Sequence, residues 1–440
     1  MEGTTLDTKT SAQRQKTSLS KSALLLTVAA TLGSSALSCA ADADQEQEKL
    51  FKEGMFQREQ GNLFTSLEAF QTVLSNQPQL NRVRLELAVA YYRTLNFEEA
   101  KRQAQIVLDD PKTPENVRLS VLTFLAQVKK DEEAFTAKRH VWEPSVSIGL
   151  MHDTNVNVGP SSDVLPGGLV LLQESKPKSD DAIVLSAGVT HRYQSPTPIK
   201  LGEKAARFVW QSQANYYRKG YLSDDAYNLD VVTLATGPGW FVPNYWRAAV
   251  TGQADYIRYG DQELAWFTSL TPSVTWEIKN GEITWDAIYQ KRDFSRDVDQ
   301  GRDSKYSATG LSLGKVFRAG KLALQGGVHV FKEDADQSKF SNDGTELFLG
   351  ANLVAWADGT VYGRVSQKDS KYDGPWDAPF NVKRDETEDR YEVGFNHDFK
   401  AGALDHWRLS GSYTHTKNSS NVSIFDYKRD VTYLGLSRTF

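Results

Sequence analysis

From Trp142 to Phe440, apolar and polar residues alternate in segment after segment, and this period of two constrains the fold more than any other feature of the chain. Phe208, Trp210, Ala214 and Tyr216 alternate with Arg207, Gln211, Gln213 and Asn215. Ala248, Val250, Gly252, Ala254 and Tyr256 alternate with Thr251, Gln253 and Asp255. Ile283, Trp285, Ala287 and Tyr289 alternate with Glu282, Thr284, Asp286 and Gln290, and Trp407, Leu409, Gly411 and Tyr413 with Arg408, Ser410, Ser412 and Thr414. Each segment has about the 9–11 residues that a tilted strand needs to cross a bilayer. No stretch after residue 40 is continuously apolar for the roughly 18–20 residues of a membrane helix. A chain of this kind that spans a membrane must do so as a closed barrel, because lipid offers no partner to an open strand edge.

A soluble sandwich would also alternate, so the connections decide. Lys279-Asn280-Gly281, Arg318-Ala319-Gly320 and Ala357-Asp358-Gly359 are short and rich in turn residues. The connections near 153–180, 294–303, 333–342 and 373–386 are longer, charged and polar. Short turns at one end and long loops at the other are expected of an outer-membrane barrel. The 10 Trp, 18 Tyr and 20 Phe lie mostly after residue 140, at segment ends, where a membrane barrel needs aromatic girdles. Segments starting near 143, 182, 205, 226, 246, 264, 282, 305, 321, 345, 360, 387, 406 and 426 predict a barrel of about fourteen strands over 142–440. The last one ends on Phe440, a terminal aromatic of the kind read by barrel-insertion machinery, with Leu434 and Leu436 on its alternate positions and Arg438 departing from that pattern.

Residues 45–139 have helical periodicity and an internal similarity at a spacing of 34. Gly61-Asn62-Leu63 matches Leu95-Asn96-Phe97, and the same offset pairs Gly54 with Ala88, Ser66 with Ala100 and Val73 with Val107. Small residues recur where paired helices must approach closely, Phe56, Phe70, Leu87, Tyr91 and Leu108 are expected to fill the spaces between, and Pro78 and Pro111 close the second helix of each pair. A third, truncated pair is expected over 114–135. The segment resembles the tetratricopeptide repeat, although Leu50 and Arg84 stand where an early aromatic is expected. A short stack of this type has a concave face that binds peptides or proteins. Tyr91, Tyr92 and Arg93 are its groove candidates, with a core role as the competing assignment for the tyrosines.

Residues 1–22 are polar and basic overall, an apolar core follows from Ala23 to Leu32, and small residues run from Ser34 to Ala41. That is the three-part pattern of a secretory signal over 1–40, with cleavage expected after Ala40. Lipidation of Cys39 would need Leu about three residues before it and Gly or Ala just before it, where Ala36 and Ser38 stand. Cys39 is the only cysteine, so the mature chain is expected to have no disulfide, cysteine metal site or thiol nucleophile. The net charge of −5 becomes about −7 without residues 1–40, which argues against nucleic acid as a partner.

No active-site pattern stands out. None of the seven His forms a metal-binding pair on one helix, and no serine has a recognisable nucleophile context. His152-Asp153 and His397-Asp398 read as lumen or loop hydrogen bonds, and Gly237-Pro238-Gly239 as a turn. The expectation is a protein that is not an enzyme and carries no cofactor or metal.

The order of signal, short repeat region and barrel, together with the run Trp142-Glu143-Pro144-Ser145-Val146-Ser147-Ile148-Gly149-Leu150-Met151-His152-Asp153-Thr154-Asn155-Val156-Asn157, resembles the surface lipoprotein assembly modulator family, including its nematode host-association factors. The resemblance implies an outer-membrane translocon with its repeat domain in the periplasm. It would carry a partner lipoprotein, or a small secreted haem- or metal-capturing protein, to the cell surface. Asp153, Asn155 and Asn157 match the family motif, and an Asx-rich turn is the simpler reading of them. A channel for a polymer or small solute, and a surface protein that meets a host through its loops, are the alternatives. The implied partners are such a cargo, the insertion machinery and outer-membrane lipid.

Overall fold

A computed structural model describes residues 41–136, 139–164, 168 and 170–440. The expected signal, with Cys39 and the cleavage residue Ala40, lies outside them. Five helices come first: α1 (Ala41–Glu59), α2 (Leu63–Asn76), α3 (Asn81–Arg93), α4 (Phe97–Asp109) and α5 (Glu115–Thr136). The repeated small residues let the helices touch. Ser66, Ala88 and Ala100 are completely buried, and a Cβ on Gly54 would stand 2.7 Å from the Phe70 ring. Phe70, Val73 and Leu87 pack in one core cluster and Ala88 and Val107 in another.

The matched positions Gly61 and Leu95 both take left-handed backbone, at φ 82° and 61°. The turn needs that conformation, and Leu95 accepts the strain because its side chain is buried against Phe97 and Ala100. Pro78 and Pro111 follow the ends of α2 and α4, as expected. Two expectations fail. Phe56 is exposed rather than filling a space, because it points off the outer side of α1. Residues 115–136 form one long helix rather than a truncated pair, since nothing between Pro114 and Thr136 breaks the helical run.

The barrel strands are β1 (His140–Asp153), β2 (Asp180–Gln194), β4 (Lys204–Tyr221), β5 (Leu229–Val242), β6 (Trp246–Tyr259), β7 (Gln262–Ile278), β8 (Gly281–Phe294), β9 (Ser304–Phe317), β10 (Leu322–Ala335), β11 (Asn342–Trp356), β12 (Gly359–Pro375), β13 (Lys383–Asp398), β14 (Trp407–Ser420) and β15 (Tyr427–Thr439); a short β3 (Ile199–Leu201) pairs with the start of β4. Each barrel strand starts within about four residues of its expected place. Neighbours in sequence pair antiparallel, β2 pairs with β4, and β1 closes on β15 with Ser145 opposite Thr439 and Asp153 opposite Val431. The result is a closed fourteen-stranded antiparallel barrel.

Alternation sorts its two faces. Trp142, Val146, Ile148 and Leu150 of β1 face outward and exposed, while Ser145, Ser147, Gly149 and Met151 face the interior. The exterior carries Leu270 and Trp276 on β7, Leu311 and Leu313 on β9, and Leu347 and Leu349 on β11. An apolar outer band on a closed barrel has lipid as its natural solvent, which makes this a membrane-spanning barrel. Gly237-Pro238-Gly239 is not a turn: it lies within β5. A Cβ on Gly237 would stand 1.9 Å from the Val250 carbonyl oxygen, so the glycine permits close approach of the β6 backbone.

The helical unit also includes Gln194–Phe208 and Trp240–Asn244. The hairpin of β3 and β4 caps α2. Leu63 N donates to the Glu203 carbonyl at 3.0 Å, and Thr65 N donates to Glu203 Oε2 at 2.9 Å. These amides belong to the first turn of α2, where intrahelical acceptors are missing, and the negative side chain suits the positive end of the helix. Lys204 Nζ donates to the Gly61 carbonyl at 3.1 Å, and Lys200 Nζ lies 4.4 Å from the centre of the Phe64 ring. Ala205 is buried in the same cluster as Leu95, Phe97, Val128 and Phe135.

Candidate functional site

Three features of the two units bear on function: the connection after β1, the inner wall of the barrel, and a groove on the helices.

The motif residues after β1 form one fastening. Asp153 is fully buried and accepts from Arg429 Nε and Nη2 of β15, the shortest contact being 2.6 Å. Tyr221 of β4 donates its hydroxyl to Asp153 Oδ2 at 2.7 Å, and Asn155 N donates to Asp153 Oδ1 at 3.0 Å, which is an Asx turn. Asn155 Nδ2 donates to the carbonyls of Gly159 and Lys428, and its Oδ1 accepts from Gly159 N at 2.7 Å. Asn157 bridges to the chain that leads into β2: its Nδ2 donates to Lys176 O and its Oδ1 accepts from Lys178 N. Val156 is buried against the inward-facing Met151, Ala182 and Tyr221. The connection therefore starts on the inner side of the wall. Asx residues serve the purpose because each can satisfy backbone donors and acceptors that a loop leaves open.

The wall itself is polar inside. Fourteen strands about 4.8 Å apart and tilted by about 40° set a backbone radius of roughly 14 Å. Asp255 of β6 accepts from Thr233 Oγ1 of β5 and from Gln253 Nε2 of its own strand. On β11 to β13 the inward positions form a lattice of charge: Glu346 lies opposite Lys368, which lies opposite Glu388, and Arg364 lies opposite Glu392. Arg364 and Lys368 also lie over the rings of Phe348 and Phe331, at 4.4 and 4.6 Å from the centroids. Arg292 reaches Glu333 at 2.9 Å, and His329 reaches Asp286 at 3.2 Å. Opposite charges alternate along this wall, so it is strongly hydrated without favouring one sign.

The groove on the helices is lined by Gln71 and Leu74 of α2, Arg84 and Tyr91 of α3, and Arg102 and Gln103 of α4. Gln71 Nε2 donates to the Tyr91 hydroxyl at 2.6 Å. Arg84 donates to Gln103 Oε1 at 2.8 Å and to the Pro78 carbonyl at 2.6 Å, so neither partner is a carboxylate. Burial and then the nearby Arg102 charge push the Arg84 guanidinium below its ordinary value. The groove thus holds two cations, of which Arg102 is paired with Glu99 at 2.6 Å.

Of the three groove candidates, Tyr91 lines this groove and Tyr92 does not. Tyr92 packs edge-on to Phe97 and Phe124 and donates to Asp131 Oδ2 at 2.5 Å. Burial, then Asp131, raise its hydroxyl pKa well above the ordinary tyrosine value. Arg93 is at the end of α3, where Nη1 donates to the Arg58 carbonyl at 3.4 Å. Arg84 and Arg102 were missed as groove residues. Their common signal was helical spacing that places them opposite each other on α3 and α4, which single-helix patterns do not reveal.

His152 does not bond its neighbour Asp153: it faces outward and meets Asp181 at 2.7 Å. His397 accepts from Trp356 Nε1 at 3.1 Å. Among the described residues, no group of three or more His, Cys, Asp or Glu could hold a metal ion. The Phe440 amide donates to the Pro144 carbonyl at 2.9 Å and its ring lies 4.8 Å from the Arg438 guanidinium, at the seam between β15 and β1.

No protein-family model and no curated protein matches this chain. Several solved structures do. An anion-selective porin from Comamonas acidovorans is 9% identical over 68% of this chain and 99% of its own, with a TM-score of 0.39. OpdK of Pseudomonas aeruginosa, solved with vanillate, is 10% identical over 68% and 98%, with a TM-score of 0.35. A loop-deletion form of OmpT, an outer-membrane protein of Vibrio cholerae, is 8% identical over 69% and 100%, with a TM-score of 0.38.

Proposed function

We propose that the barrel is a conduit of the bacterial outer membrane, with the short turns in the periplasm and the long connections at the cell surface. The observation that carries this reading is the opposition of the two faces: an apolar exterior, and an interior of alternating charged and hydroxyl groups. Polar molecules up to the width left by the inward side chains would pass through it, and the connection fastened by Asp153 would set the narrowest point. Purified full-length protein in a planar bilayer should give discrete ohmic conductance steps. A protein that inserts and never conducts would sink this reading.

A second reading has its own observation. The groove between α2, α3 and α4, with Arg84, Arg102 and Tyr91, is suited to an acidic segment of a protein client. This favours the translocon that the resemblance implies, in which the helical unit receives a client and the barrel takes it to the surface. Surface labelling of the protein encoded by the neighbouring gene, in intact cells, tests it. Arg84→Glu with Arg102→Glu should leave that protein inside the cell while the barrel still conducts. Unchanged surface display would leave the solute conduit alone.

A further inference from the structure

On the exterior, beyond the apolar band, two pairs of lysines face each other across neighbouring strands. Lys417 of β14 lies directly opposite Lys428 of β15, and Lys291 of β8 lies directly opposite Lys305 of β9. All four are exposed. Side chains directly opposite in an antiparallel pair have Cβ atoms about 4.5–5.5 Å apart, and like charges in that register are destabilising. Elsewhere on the same rim the register avoids this: Lys332 and Lys371 both face Asp343.

Carboxylates flank the two pairs, but none lies between the paired lysines. Asp430, next to Lys428 on the same face, is bonded to the Tyr413 hydroxyl at 2.6 Å and to His415 at 2.7 Å. Asp389 lies opposite Lys417 on its other side, and Asp334 opposite Lys305. Lys291 Nζ is bonded along its own strand to Asp293 at 2.7 Å. Each pair therefore sets two exposed lysines side by side on the outer face, with no carboxylate of the register between them.

The height of the pairs identifies what they face. Tyr289, more than half exposed, is the outward residue just before Lys291, and Tyr413 occupies the corresponding face of β14 below Lys417. Exposed aromatics mark the membrane interface. Two residues of strand rise about 6.7 Å, so Lys291 lies at the level of lipid headgroups. We propose that the pairs Lys417–Lys428 and Lys291–Lys305 are phosphate sites for an anionic lipid of the leaflet at the long-loop end, each pair holding one headgroup phosphate. The proposal rests on the membrane-spanning barrel and not on what passes through it.

The test uses the full chain in phosphatidylcholine nanodiscs, with and without bisphosphorylated lipid A, and native mass spectrometry to count retained lipid A. Lys417→Gln with Lys428→Gln should weaken retention by roughly thirtyfold, at about 1 kcal/mol per lysine, and the Lys291→Gln, Lys305→Gln double variant likewise. The corresponding Lys→Arg variants should retain the lipid, and heat-modified gel migration reports that each variant is folded. Lys332→Gln with Lys371→Gln should change retention little. Equal losses from that control would assign the effect to the overall charge of the rim and overturn the proposal. So would unchanged retention in the paired variants, or full displacement of lipid A by inorganic phosphate at the same phosphate concentration. Failure to insert into the nanodiscs at all would count instead against the membrane-spanning barrel.

Discussion

Arg429 holds both carboxylate oxygens of Asp153, although 276 residues separate them in the chain. The pair sits where the closing seam of the barrel ends: Asp153 is in the last registered pair, opposite Val431, and Arg429 lies two residues before Val431. Asp153 is completely buried and Arg429 nearly so, which keeps water from competing for either.

Removing only one partner leaves the other charge buried alone. Arg429→Ala should therefore cost about 3–5 kcal/mol, read as a lower urea midpoint for barrel unfolding. Asp153→Ala with Arg429→Ala should cost less than Arg429→Ala by itself. Tyr221→Phe should cost about 1.5–3 kcal/mol through its lost hydrogen bond to the carboxylate. Equal midpoints for Arg429→Ala and the unaltered chain would show that the pair does not hold the seam.

Arg384 has a comparable role among the long connections. Its guanidinium lies 3.6 Å from the centre of the Tyr372 ring, 4.0 Å from Phe425 and 5.0 Å from Trp376. It also reaches Glu386 at 3.1 Å. Stacked cations of this kind contribute about 2 kcal/mol when desolvated. Arg384→Ala should free the 376–382 and 421–426 connections, and limited proteolysis of intact cells should then cut there. Arg384→Lys should rescue only part of the protection, because ammonium cannot stack as a plane.

Alkaline pH should act on the helices through Tyr92. Its pKa is raised in the folded state, by burial and then by Asp131. The contribution is complete below the ordinary value of 10 and is lost as pH rises above it towards the folded value. Circular dichroism melts between about pH 9 and 11 should show the helical signal weakening, with a smaller loss across that window in Tyr92→Phe. Identical pH profiles for the two proteins would contradict the buried, hydrogen-bonded hydroxyl.

The hairpin of β3 and β4 should come away from the helices in Ala205→Glu. Ala205 is 3% exposed among apolar side chains, and a carboxylate there would lose its hydration against Leu95, Phe97 and Phe135. Trypsin should then cut faster at Lys204, which is half-buried and bonded to the Gly61 carbonyl in the unaltered chain. Glu203→Ala is the milder change. It removes the side-chain cap on Thr65 and should cost about 1 kcal/mol, with the hairpin still in place.

The barrel was legible because a strand's two faces meet different solvents. Trp142, Val146 and Ile148 face lipid while Ser145 and Ser147 face water, and that contrast is written at every second residue. Turns such as Lys279-Asn280 were legible for a related reason: Asn280 carries the positive φ that a tight hairpin requires. What could not be read was anything that joins residues far apart. Asp153 reads locally as the start of an Asx turn, which it is, but its guanidinium partner lies on the last strand. Arg84 and Arg102 belong to different helices, and their shared groove exists only once those helices pack. Phe56 fits the apolar pattern of α1 and still faces outward, because α1 has neighbours on one side only. Gly237-Pro238-Gly239 looked like a turn, when what Gly237 provides is room for the neighbouring backbone.

The cap that Glu203 places on α2, and the Ala205 side chain in the core of the helices, have a consequence for synthesis. All five helices leave the ribosome before either residue exists. A newly made helical segment thus has an unfinished core and an open helix end, and it is completed only by chain translated after the first two barrel strands. Its folding is scheduled by a hairpin that arrives late, so the N-terminal segment reaches its final form no earlier than the start of β4, the third barrel strand.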